Sequence, residues 1–126
     1  MKHPITVERI ERRSIHDLIA NPQNARLHSE EQIRQIAASI AEFGFVNPVL
    51  VGPDHVIIAG HARMAAARHL ALDEVPVIVL DHLTPAQRRA LVIADNQLAL
   101  NATWDEEMLR TELAALEEDD FALPLM

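Results

Sequence analysis

The chain has 126 residues, of which 49% are hydrophobic, and this length is sufficient for one domain with its own core. It contains no cysteine, which excludes disulfides, thiolate metal sites and cysteine nucleophiles. We find no apolar run long enough to span a bilayer and no signal-peptide pattern in the first residues. We therefore expect a cytoplasmic protein without membrane contact.

The net charge of −8 is unevenly distributed along the chain. Residues 105–126 contain eight acidic residues and one basic residue and so carry −7, which leaves −1 for residues 1–104. Because residues 1–104 are nearly neutral, any DNA contact through this chain is expected to be indirect or weak. We predict a domain over residues 1–104 and an acidic appendage over residues 105–126.

Apolar periodicity predicts the elements of the first half of the chain. They are a strand over 5–13, a helical turn over 15–19, a polar loop over 21–26, a helix from Ser29 to Gly44, and strands over 49–51 and 56–59. The start of the helix rests on Ser29 and Gln32, which have the spacing of a capping box.

The second half of the chain is predicted to contain more helix than strand. A helix over 62–70 is followed by a strand over 75–80, a helix over 84–98, a break at 101–104 and a last helix over 105–117. We expect Trp104 to pack between the body and the last helix. The apolar positions of that helix form a seam that could dock within the chain or between chains: Met108, Leu109, Leu113 and Leu116. The order of elements predicts a small α+β domain with a mixed sheet.

The most informative segment is the strand-to-helix turn at residues 57–68. A β-type run ends at Gly60, His61 and Arg63 follow, and an alanine-rich helix begins. The first N–H groups of a helix and its positive dipole end suit a phosphate, and an arginine adds a charged fork. The alternative is a turn without a ligand, with Arg63 in a surface salt bridge.

Four segments in order resemble the ParB-like N-terminal ("ParB-like nuclease") domain of the ParB/sulfiredoxin superfamily. They are Asn21-Pro22-Gln23-Asn24-Ala25-Arg26, residues 36–51 with Gly44 and Pro48, Gly60-His61-Ala62-Arg63, and Asp95-Asn96-Gln97. The resemblance covers roughly residues 5–100. It implies the ParB/sulfiredoxin fold, with a small mixed sheet and packed helices. Sulfiredoxin chemistry itself is ruled out because the chain has no cysteine.

The resemblance also implies a nucleoside triphosphate, CTP or ATP, bound with Mg²⁺. The phosphates would lie among Gly60, His61, Arg63, Arg26 and Asn96, with Asp95 and Asn96 near the metal. His61 and Ala62 stand where partitioning proteins have Glu and Arg, so one phosphate-binding cation is missing. This form is more similar to stand-alone or DNA-methyltransferase-linked domains, from bacteria or phages, than to partitioning proteins.

The same residues also have simpler interpretations. His61 is a candidate general base, a neutral donor to phosphate, or a solvated residue at a helix start. Asp95 and Asn96 could face solvent rather than a metal, although their oxygens suit magnesium. No second histidine has metal-ligand spacing to His61, which argues against zinc. Arg88 and Arg89 are expected to form a solvated helix face; the alternative is a face directed at DNA.

Three functions follow as hypotheses. The first is a nucleotide-binding regulatory or switch domain associated with DNA partitioning or modification, with weak nucleoside triphosphatase activity for which His61 and Asp95 are the catalytic candidates. The second is a metal-dependent DNA nuclease. The third is a non-catalytic interaction module of a DNA methyltransferase, or a unit that forms a homodimer or binds a partner protein through the 105–117 helix.

Overall fold

The structure is a computed structural model that describes residues 10–22, 28–101 and 103–123. For residues 96 and 98–101 it describes only the backbone. The elements are β1 (Glu11–Ser14), α1 (Glu30–Phe43), β2 (Val49–Val51), β3 (Ile57–Ala59), α2 (His61–His69), β4 (Glu74–Val79), α3 (Pro85–Asn101) and α4 (Glu106–Glu118), with a short 3-10 turn at Ile15–Asp17. This order confirms the predicted α+β class. Most of the predicted first strand lies outside the described residues.

The four strands form one mixed sheet in the order β1-β4-β2-β3. β2 and β4 run parallel, with Leu50 opposite Ile78, and the other two pairs are antiparallel. A parallel pair requires a crossover connection, and here β3 and α2 lie in the chain between β2 and β4. Because α2 begins directly after β3 and β3 is an edge strand, the start of α2 lies at one edge of the sheet.

The core lies between the sheet and α2. Its most deeply buried side chains are those of Val49, Val51, Ile57, Ile58, Met64, Val75 and Val77. α1 packs on α2, and α3 packs against β3. Because α2 is anchored through Met64 and three buried alanines, its first turn is held at a fixed position relative to the sheet.

Local capping fixes the helix starts. Thr84 and Gln87 form a complete capping box before α3: the Thr84 Oγ1 accepts from the Gln87 N–H at 3.1 Å, and the Gln87 Oε1 accepts from the Thr84 N–H at 2.9 Å. Ser29 caps α1 by accepting from the Gln32 N–H at 3.1 Å. These helix starts agree with the prediction.

The connection between α3 and α4 differs from the prediction. Trp104 is 73% exposed, so it is not a packing anchor. The end of the described chain returns to the body instead, because the ring of Phe121 stacks on that of Phe43 with centroids 6.2 Å apart. None of the α4 side chains is buried, and Met108 is 64% exposed. Within the described residues, the apolar seam of α4 is therefore partly covered, with Leu109, Leu113 and Leu116 half-buried and Met108 exposed.

No helix in the described part of the chain has the length and the apolar character that crossing a membrane requires.

Candidate functional site

The site is built on the turn between β3 and α2. Gly60 has φ +108°, a left-handed conformation that favours glycine, and α2 begins at His61. A Cβ atom on Gly60 would lie 3.0 Å from the Nη2 atom of Arg63. Glycine thus allows both the turn, where the sequence placed it, and the close approach of the arginine.

The Arg63 guanidinium folds back over this turn and is only partly paired. Its Nη2 donates to the Pro48 carbonyl oxygen at 3.1 Å. Its Nε is buried and has no hydrogen-bond partner among the described residues. Burial lowers the pKa of Arg63, and the nearby Asp95 carboxylate acts in the opposite direction. A buried N–H without an acceptor is costly, so this group is available to an oxygen supplied by a ligand.

His61 faces the segment that precedes α1. The Asn21 backbone N–H donates to the His61 Nε2 at 3.1 Å. Because Nε2 accepts this bond, the imidazole is neutral and carries its proton on Nδ1. Burial, followed by the positive charges of His28 and Arg68, lowers the pKa of His61 below its ordinary value of 6.5.

Most of the predicted site residues for which side chains are described lie around one cavity of about 180 Å³, which we call the α2 cavity. Its polar lining includes Gly60, His61, Arg63 and Asp95. The structure therefore brings the third and fourth predicted boxes together. Arg26 lies outside the described residues, and of Asn96 only the backbone, within α3, is described.

Two polar residues of the α2 cavity were not predicted from the sequence. His28 and Gln32 both line it, and the His28 Nδ1 lies 3.0 Å from the Gln32 Oε1. Gln32 therefore completes only half of the predicted capping box, since its amide oxygen is directed to His28. The sequence shows only that His28 stands next to the N-cap of α1. Its place in the cavity follows from the packing of α1 against α2.

A second cavity of about 230 Å³ adjoins the first, and we call it the α1 groove. Ile36 and Arg63 line both cavities. The rest of the groove is formed by the end of α1 and the residues that follow it: Ser39, Ile40, Gly44, Phe45, Val46 and Asn47. One polar cavity and one largely apolar groove, joined at an arginine, suit a ligand with an anionic end and a less polar end.

The prediction that Arg88 and Arg89 form a solvated face is wrong for Arg88. Its Nη1 donates to the Asp54 Oδ2 at 3.1 Å, and its Nη2 pairs with Oδ1 of the same carboxylate. These hydrogen bonds lower the pKa of Asp54. A Cβ atom on Gly52 would lie 2.6 Å from the Arg88 Cζ, so this glycine makes room for the ion pair. Arg89 is exposed, as predicted.

The predicted metal site at Asp95 and Asn96 has one carboxylate donor, Asp95, among the described side chains of the cavity. Among the described residues, no three His, Asp or Glu side chains converge in a way that could hold a metal ion. Asp95 is the one carboxylate that lines the α2 cavity within that part of the chain. A magnesium ion commonly takes one or two protein carboxylates plus substrate phosphates and water. The arrangement fits an ion that arrives with a polyphosphate, and does not form a protein-only cage.

The low pKa of His61 predicts a loss of stability in mild acid. As the pH falls below about 6.5, the unfolded chain binds a proton at residue 61 more readily than the folded chain does, so the free energy of unfolding decreases. We expect His61→Gln to reduce this decrease between about pH 7.5 and pH 5 in denaturant titrations. His69→Gln, at an exposed position near the end of α2, is the matched control. If His61→Gln leaves the pH dependence of the free energy of unfolding unchanged, the lowered pKa of His61 is contradicted.

The fold and the site together define a small α+β domain with a polar cavity at a helix start. The ParB N-terminal domain family matches residues 1–96, and the chain belongs to this family. It is 48% identical over 77 residues to "ParB-like nuclease domain-containing protein YnaK" of Escherichia coli K12; the match covers 61% of this chain and 88% of YnaK.

Solved structures agree with the family. The C-terminally truncated chromosome-partitioning protein ParB of Caulobacter crescentus, complexed with CTP-gamma-S, superposes with a TM-score of 0.72 at 28% identity. The match covers 88% of this chain but 64% of that one. Sulfiredoxin of Arabidopsis thaliana matches with a TM-score of 0.56 at 16% identity, over 67% of this chain and 97% of its own, and shows a shared fold. The predicted ParB/sulfiredoxin fold is confirmed.

Proposed function

We propose that this chain is a nucleotide-binding regulatory domain that takes a nucleoside triphosphate, CTP in preference to ATP, at the α2 cavity. The observation that carries the proposal is the buried Nε of Arg63, which has no acceptor among the described residues. A phosphate oxygen would satisfy it with a charge-assisted hydrogen bond. The free N–H groups at the start of α2 would bind the same phosphates.

The preference for CTP rests on the Caulobacter relative, which is described as complexed with CTP-gamma-S. In our proposal the phosphates lie at Gly60, His61 and Arg63, and the ribose and base extend past Arg63 into the α1 groove. Arg26, outside the described residues, and Asn96 are proposed as further phosphate contacts. Mg²⁺ would accompany the phosphates, with Asp95 as a ligand, and would neutralise part of their charge.

The experiment is calorimetric titration of the full chain with CTP, ATP and GTP, each with Mg²⁺. The proposal expects binding, tightest for CTP. If none of the three binds, the proposal is wrong. If all three bind equally, the phosphates are recognised and the assignment of the base to the α1 groove is wrong.

Hydrolysis of the nucleotide is a second part of the proposal. Water would attack the terminal phosphorus, the bond to the bridging oxygen would break, and the proton of the water would pass to Asp95, while His61 would donate a hydrogen bond to the phosphate; both residues line the cavity. Phosphate release from CTP, compared with that in Asp95→Asn and His61→Gln, tests this. Activity equal in all three proteins would remove both residues as catalytic candidates.

The nuclease hypothesis gains no support from the part of the chain that the structure describes, because no metal-binding trio of side chains forms there. The relative YnaK has the word "nuclease" in its name, and we therefore include a direct test of DNA cleavage. We expect no nicking of a supercoiled plasmid with Mg²⁺ or Mn²⁺. Nicking that is lost in both Arg63→Ala and Asp95→Ala would favour the nuclease.

A second candidate function, self-association through the acidic segment, is favoured by the partly exposed seam of α4, in which Met108 is 64% exposed. We propose that two copies associate through this helix. The dimer would act in DNA partitioning or DNA modification, and other proteins would make the main contacts with DNA. We expect light scattering of the full chain to give a mass that rises towards two chains with concentration. Met108→Glu, which places charge on the seam, should return the mass to one chain, whereas Arg110→Glu on the same helix is the control. A single-chain mass at every concentration would contradict this candidate.

A further inference from the structure

His61 links two parts of the molecule in its neutral form. Its Nε2 accepts the Asn21 backbone N–H at 3.1 Å, so this nitrogen cannot donate to anything else while the bond exists. The residue also lines the α2 cavity beside Gly60 and Arg63. The imidazole thus joins the Asn21–Pro22 turn to the proposed phosphate position.

The groups around His61 are mostly cationic. His28, from the segment before α1, and Arg68, on α2, act on it with positive charge. Arg63 of α2 and Asp95 of α3 line the same cavity. Without an anion, this surrounding opposes a proton on His61. A polyphosphate would reverse that balance, because its negative charge favours the imidazolium ion.

We propose that binding of a polyphosphate anion at the start of α2 is coupled to the uptake of one proton by His61. The Nε2 atom gains the proton, gives up the Asn21 N–H, and donates to a phosphate oxygen, while Nδ1 keeps its own proton. The inference rests on the proposed function and adds its regulation: the chain binds the nucleotide more tightly as the pH falls, and binding alters the Asn21–Pro22 turn.

The size of the effect follows from proton linkage. One proton taken up on binding changes the dissociation constant by at most about tenfold per pH unit, and by less once His61 is already charged. Between about pH 8 and pH 6 we expect the affinity of the wild-type protein to rise several-fold more than that of a variant that cannot be charged at residue 61.

The test is calorimetric titration of the full chain in two phosphate-free buffers with different heats of ionisation, at several pH values. The probes are CTP with Mg²⁺ and inorganic triphosphate with Mg²⁺. His61→Gln is the matched control, since the amide oxygen can accept the Asn21 N–H and the amide nitrogen can donate to phosphate, without a proton being taken up. Protonation of the probe itself occurs with both proteins, so the difference between them reports His61.

We expect the wild-type protein to take up as much as about one proton more per ligand than His61→Gln. Equal uptake by the two proteins, with binding retained, overturns this inference and leaves the proposed function intact. Failure of both probes to bind overturns the proposed function and this inference with it.

A second measurement needs no ligand. Long-range proton–nitrogen NMR spectra of the free protein should show His61 as the Nδ1–H tautomer, and the Asn21 amide signal should titrate together with His61. The Nε2–H tautomer would overturn the inference even if nucleotides bind. In His61→Gln the titration of the Asn21 amide should disappear.

Discussion

Arg63→Ala is expected to weaken nucleotide binding by about 100-fold or more, because hydrogen bonds between charged groups contribute about 1.5–3 kcal/mol each and the guanidinium fork can make two of them. Arg63 lines both the α2 cavity and the α1 groove, so its loss affects the point where the two halves of the ligand would meet. Calorimetric titration with CTP and Mg²⁺ measures the effect.

Two variants make this result specific. Arg63→Lys keeps the charge but loses the planar fork, and we expect an intermediate loss of about tenfold. Arg89→Ala removes an exposed arginine that lines a different cavity, beside the Arg88–Asp54 pair, and should leave the affinity within about twofold. A similar loss for Arg63→Ala and Arg89→Ala would indicate nonspecific attraction of the anion and would contradict the proposed site.

Met64→Ala is expected to lower the free energy of unfolding by about 2–5 kcal/mol, the range for removing a buried methionine side chain and leaving a cavity. Met64 is 1% exposed and packs in the main core cluster beneath α2. For a domain of this size the midpoint of thermal unfolding should fall by roughly 8–20 °C. Thermal and denaturant unfolding, followed by circular dichroism, measure both quantities.

Met108→Ala is the matched control for this prediction. The same substitution at a methionine that is 64% exposed should change the free energy of unfolding by less than about 0.5 kcal/mol. Equal losses at the two positions would mean that α4 is packed as tightly as α2. They would also contradict the proposal that the apolar seam of α4 binds a second copy of the chain.

Local sequence information was sufficient for much of the fold. The helix predicted from residue 84 starts there because Thr84 and Gln87, which lie within one helical turn, form a capping box. Gly60 was recognisable since its position between a strand and a helix requires a conformation that glycine tolerates. The third and fourth boxes were expected to meet, and Gly60, His61, Arg63 and Asp95 do line one cavity.

The errors and omissions come from contacts between distant parts of the chain. Arg88 was assigned to a solvated face because nothing local shows that Asp54, 34 residues away, lies within reach. His28 was not selected because its place in the cavity depends on how α1 approaches α2. Trp104 was expected to pack because it is aromatic, but the aromatic contact near the end of the chain is made by Phe43 and Phe121.

The most direct test of the account is the Arg63 Nε–H signal in proton–nitrogen NMR spectra, recorded before and after addition of CTP with Mg²⁺. We predict that this signal shifts strongly and exchanges more slowly with water, as a buried N–H does when it gains a phosphate acceptor. The signals of His61 and of the first N–H groups of α2 should move with it. An Arg63 Nε–H signal that is unchanged at saturating CTP would contradict the assignment of the phosphates to this turn.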